Sequence, residues 1–151
     1  MNTFPIIRVI SKFLIPYIIL FAFYVQLHGD YGPGGGFQAG VIFAAGLILY
    51  GLVFGLAAMK FVAPPWLIEK LMAGGVLIYG GTGLMTMVFG GAFLDYDVLE
   101  HDLPGHVIPS GQHLGILLVE TGVGITVTAV MTMIFYMFAS RRAISPKGES
   151  K

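Results

Sequence analysis

The sequence contains no cysteine, which excludes disulfides and thiolate-held metal from the outset. Charge is also scarce. Charged residues make up 11% of the 151 positions, far below the roughly 25% of a soluble domain, and eight Lys and Arg balance eight Asp and Glu. With 56% apolar residues, that deficit excludes an ordinary water-soluble globule and leaves an integral membrane protein. Strict apolar/polar alternation is missing, so a transmembrane β-barrel is not expected. No basic patch is interleaved with aromatics, so no nucleic-acid partner is expected. The Gly-rich stretch lacks the Lys-Ser/Thr of a phosphate-binding loop, and neither a Ser/His/Asp nor a His-Glu-x-x-His arrangement occurs. The chain is therefore expected to have no enzymatic site, no cofactor and no metal.

What is present is four long apolar runs, at about 6–27, 37–59, 67–93 and 114–139. Each is near or above the ~20 residues a helix needs to cross ~30 Å of hydrocarbon. The expected fold is all-α: one membrane domain over 1–151, built as a four-transmembrane-helix bundle. The first run has a basic start at Arg8 and Lys12, as a signal peptide would, but it has no small-residue cleavage site before Gly29 and reads as a retained helix. All eight Lys and Arg fall near the N-terminus, flanking the second connection or after the last run. The positive-inside rule then places both termini in the cytoplasm, with outward loops at about 28–36 and 94–111. Pro64, Pro65 and Trp66 suit an interfacial turn on the inner side.

The first outward loop carries the most unusual backbone chemistry, His28-Gly-Asp30-Tyr-Gly-Pro33-Gly34-Gly35-Gly36-Phe37. Pro33 removes a backbone donor, and three successive glycines permit positive φ and close backbone approach, so the flanking helices break here in a structural turn. Gly36-x-x-x-Gly40 and Gly51-x-x-x-Gly55, with Gly74, Gly75, Gly80, Gly81 and Gly83, provide faces for tight helix packing, either within the bundle or against other membrane subunits.

Polar groups within the spans are few. Glu120 lies about eight residues into the last helix, roughly 12 Å below its outer end, where an ionised carboxylate is costly unless paired, hydrated or protonated. His113 lies seven positions earlier on nearly the same face, about 10 Å nearer the outside. The two residues could be stations of a proton or cation relay, or Glu120 could be a hydrogen-bonded acid joining helices. His28 and Asp30 could collect external protons or simply solvate the turn. Gln26 and the threonines of the spans suit helix-to-helix or backbone hydrogen bonds. Asp95, Asp97, Glu100 and Asp102, with His101 and His106, either concentrate cations at an outer mouth or form a solvated loop; Glu100 stands where an EF-hand requires Gly.

The stretch from His28 through Pro33-Gly-Gly-Gly-Phe37 to Gly40 resembles the loop and second-helix start of the B subunits of Mrp-type multisubunit Na+/H+ antiporters, the MnhB-type family. Gly111-Gln-His-Leu-Gly-Ile-Leu-Leu-Val-Glu120-Thr-Gly-Val-Gly124 looks like that family's final helix with its intramembrane acid. The resemblance implies a small subunit of a complex I-like assembly in a bacterial or archaeal inner membrane. Its implied partners are antiporter subunits of the A, C, D, E, F and G types and membrane lipid, with Na+ and H+ as the ions of the complex. In such assemblies the A and D subunits carry the main proton-translocating machinery. Related subunits occur in membrane-bound hydrogenase-type complexes.

Overall fold

A computed structural model describes residues 5–29, 32–96, 98 and 111–144. The described residues form α1 (Pro5–Leu27), α2 (Gly36–Phe54), α3 (Leu56–Val62), α4 (Pro65–Val88) and α5 (Gly111–Ile144), with no strand among them. Four helices are long and apolar enough to cross a membrane, over Pro5–Leu27, Gly36–Phe54, Pro65–Val88 and Gln112–Ser140. α1 packs mainly on α2, α2 on α5 and α5 on α4, so the central pair of the bundle is α2 with α5. Large apolar side chains stay on the outside, among them Leu77 at 73% exposure and Phe138 at 72%. Such a surface is stable only against lipid or another apolar protein face.

The second apolar run departs from the single helix expected over 37–59. It begins one residue early, at Gly36, and breaks at Gly55, whose φ of 95° lies in the left-handed region. Gly55 still donates its N–H to Gly51 O, and Met59 donates to Gly55 O, so the chain changes direction with its backbone groups satisfied. The short α3 then tucks Met59 against Gly51. Met59, Ala63, Ile68, Ala129 and Tyr136 form the buried core at this end, and the Tyr136 hydroxyl donates to Ala63 O at 2.6 Å. α4 begins with Pro65 in its first turn, where a missing N–H costs nothing.

The third run ends its helix at Val88 instead of continuing to Phe93. Gly90 has a φ of 88°, and Thr86 holds the returning chain. The Thr86 hydroxyl lies 2.8 Å from Gly83 O and 3.0 Å from Ala92 O, and it accepts Leu94 N–H at 3.0 Å. Phe93 covers Gly83, and Tyr96 covers Gly115 of α5. These two glycines therefore accept aromatic rings from the connection, whereas Gly75 meets the α5 backbone at Gly122. The last helix runs beyond the expected 114–139 at both ends, to 111–144.

Candidate functional site

The Gly-rich turn folds back onto the end of α1. His28 N–H bonds to Tyr24 O at 3.0 Å to close the last helical turn, and Gly35 N–H reaches Val25 O at 3.3 Å. Gly35, with a φ of 115°, then caps α2 and accepts Ala39 N–H at 3.0 Å. Only glycine adopts this φ without strain, and the absence of side chains at the turn leaves room for something else. That something is Glu120. Its two carboxylate oxygens lie where a Cβ on Gly29 would stand, and Oε1 would be 3.0 Å from a Cβ on Gly35.

Backbone contact continues below the carboxylate. A Cβ on Gly36 would overlap the Glu120 carbonyl, and one on Gly40 would come within 2.7 Å of Gly124 O. The Thr128 hydroxyl bridges the same seam, 2.7 Å from Gly124 O and 3.1 Å from Gly40 O. Gly36-x-x-x-Gly40 of α2 thus fits the stretch from Glu120 to Gly124 of α5, the close approach that small residues permit inside a membrane. The acid is half-buried against the N-terminal end of α2, where backbone N–H groups have no helical acceptor of their own.

The structure therefore brings together two features that the sequence separates, the turn and the intramembrane acid. They lie at one level, nine residues or about 13 Å along α5 from its first residue. The sequence places the turn at the membrane surface and the acid near mid-membrane, and their contact gives them a common depth. His28 adjoins the seat through Gly29; its ring stacks on Tyr24 at 5.2 Å and faces Gly32. His113 stands two turns nearer the N-terminus of α5, about 10 Å along the axis, and is half-buried. Gly34 packs against Val25 O and Gly29, while Pro33 and Phe37 are exposed. Asp30 lies outside the described residues, as do Asp97, Glu100, His101, Asp102 and His106. No cluster of three metal-ligating side chains occurs among the described residues.

The stretch of chain that holds both halves of this seat is matched by known proteins. A family model described as a domain related to the MnhB subunit of Na+/H+ antiporter matches residues 6–133, a span that includes both the turn and Glu120. The chain belongs to this MnhB family. It is 35% identical over 128 residues to antiporter subunit mnhB2 of Staphylococcus epidermidis, covering 81% of this chain and 89% of that protein. It is 32% identical over 135 residues to the B subunit of the Na(+)/H(+) antiporter of Bacillus subtilis, covering 85% and 91%. A third relative, the mnhB2 subunit of Staphylococcus haemolyticus, is 32% identical over 132 residues, covering 84% and 93%.

One turn beyond Glu120 along α5, this MnhB-family chain holds a cavity of about 330 Å³, lined by Phe23, Gln26, Phe43, Leu71, Thr121 and Thr128 among others. Gln26 Oε1 lies against Gly124, and its buried Nε2 has no hydrogen-bond partner among the described residues. The expected helix-to-helix bond is therefore not made by that amide nitrogen. Thr132, also expected to bond, is fully buried with its hydroxyl unpartnered among the described residues. In the sequence, the sign of Gln26's place here is its position three residues before Gly29, in the last turn of α1.

Proposed function

We propose that this chain is the B-type subunit of an Mrp-type monovalent-cation/proton antiporter and that Glu120, seated in the Gly-rich turn, belongs to the ion route of that complex. The observation that carries the reading is the carboxylate resting on Gly29 and Gly35. Ionisable residues inside membrane spans face bundle interiors, cavities or ion paths, and a carboxylate set at a side-chain-free turn fits such a path. The Gln26 amide lies against Gly124, one helical turn beyond the acid toward the basic end of the bundle, beside a cavity with mainly apolar walls. His113 lies toward the N-terminus of α5 from Glu120, the side from which external protons would arrive, and His28 adjoins the turn at the level of the acid.

In this reading both termini face the cytoplasm of a bacterial or archaeal cell, because the Lys and Arg collect at the end opposite the turn. Arg8, Lys12, Lys60 and Lys70 all lie toward that end, and Lys70 sits 5.1 Å over the Trp66 ring. The partners are the A, C, D, E, F and G types of antiporter subunit, which meet the exposed apolar faces. A second reading, as a scaffold subunit, is favoured by the Gly36 and Gly40 contacts, which use the same stretch of α5 for packing.

Glu120→Gln in the intact complex separates the two readings. Sodium-driven proton movement in inverted vesicles is measured beside a native-gel assay of assembly. The proposal requires that assembly persists and transport collapses. Normal transport would leave the scaffold reading standing.

A further inference from the structure

At the end of the bundle opposite the turn, two cations converge on a single aromatic ring. Arg8 and Lys12 lie one helical turn apart on α1, so their side chains share a face. The Arg8 guanidinium carbon is 5.7 Å from the Phe54 ring centroid, and Lys12 Nζ is 5.9 Å from the same centroid. Phe54 is the last residue of α2, and its ring centroid lies 4.7 Å from that of Tyr50. Arg8, Val9, Lys12, Tyr50 and Phe54 enclose a pocket of about 340 Å³.

Among the described residues, no carboxylate lines this pocket. Holding two like charges over one ring is unfavourable unless an anion lies between them. In the segments that carry all eight Lys and Arg, the acids are Glu69 and Glu149. The pocket also stands where the apolar stretches of α1 and α2 end, which is the level of lipid headgroups. We propose that it binds the phosphate of an anionic phospholipid, with Arg8 and Lys12 pairing the phosphate oxygens and Tyr50 and Phe54 flanking the glycerol. A headgroup satisfies both the charge and the apolar walls, because its acyl chains continue along the exposed faces of α1 and α2. The proposal is independent of the transport reading.

The test uses the intact complex in phosphatidylcholine vesicles doped with a photoactivatable phosphatidylglycerol, with adducts mapped by mass spectrometry. Adducts are expected on the first turns of α1 and the last turn of α2. Replacing both cations, Arg8→Gln with Lys12→Gln, should reduce them about 30-fold, given roughly fivefold per basic residue at an anionic surface. The charge-retaining pair Arg8→Lys with Lys12→Arg should keep them, and Lys60→Gln should leave them unchanged. If the neutral pair fails to assemble, the wild-type complex still decides the matter through a photoactivatable phosphatidylcholine, which should not label this pocket. Equal labelling by the two lipids, or labelling that survives the neutral pair, would overturn the proposal. Displacement of the label by inorganic phosphate would identify a free-phosphate site and also reject the lipid.

Discussion

Gly36→Ala perturbs the seam on which the site depends, and its size can be worked from the geometry. The new methyl would lie 2.8 Å from the Glu120 carbonyl carbon and 3.0 Å from its Cα, and it would overlap the carbonyl oxygen. Apolar carbons sit at about 3.5–4.0 Å, so α2 and α5 must part by about 1 Å locally. The obstacle is backbone, so no side-chain rotation relieves it. Overpacking of this kind costs roughly 1–3 kcal/mol, and the seam also contains the Thr128 bond to Gly40 O, so the upper part of that range is expected. Gly36 is the first residue of α2, so alanine's better helix propensity offsets little. The measurement is thermal unfolding of the full-length chain in detergent, with a drop of about 5 °C or more. Gly80→Ala is the control, because nothing lies within 4 Å of its added Cβ. Equal stabilities for the two variants would refute the close packing of α2 on α5.

Two further outcomes follow from the C-terminal end of α4. Thr86→Val removes the hydroxyl that contacts Gly83 O and Ala92 O and accepts Leu94 N–H, at a cost of about 2 kcal/mol. Hydrogen exchange at Leu94 should accelerate while exchange in α2 stays unchanged; protection retained at Leu94 would contradict the anchoring role of Thr86. Tyr96 provides a pH test. Burial, followed by the nearby Tyr79, raises its hydroxyl above the usual value of 10. The folded state therefore holds this proton more tightly than the unfolded state. Its contribution is intact below pH 10 and is lost as pH rises from there through the folded value. Ultraviolet titration of wild type against Tyr96→Phe should show one tyrosinate forming late, and a normal midpoint would contradict the packing against Gly115.

The four spans are legible in the sequence because length and hydropathy alone determine them, and the acid stands out because it lies deep in a span. The contact between Glu120 and the turn is not legible. Sequence spacing says which residues share a face of one helix, but not which helix faces it, and α2 with α5 is a pairing between distant segments. The break at Gly55 is hidden for another reason. Gly51 and Gly55 have the spacing of a packing motif, yet only Gly51 packs, against Met59 and Phe135, while Gly55 supplies the positive φ. Gly83 likewise looks like a helix-packing position, and the Phe93 ring that fills it comes from the connection between the helices.

Whether Glu120 exchanges a proton or cation while seated on the Gly-rich turn is tested most directly by carbodiimide labelling, since the reagent adds to protonated carboxyl groups in apolar surroundings. The intact complex is labelled with and without sodium, and the modified residue is located by mass spectrometry. An ion-exchanging acid gives an adduct on Glu120 that falls as sodium or pH rises and is absent in Glu120→Gln. An adduct unaffected by both sodium and pH would contradict that role.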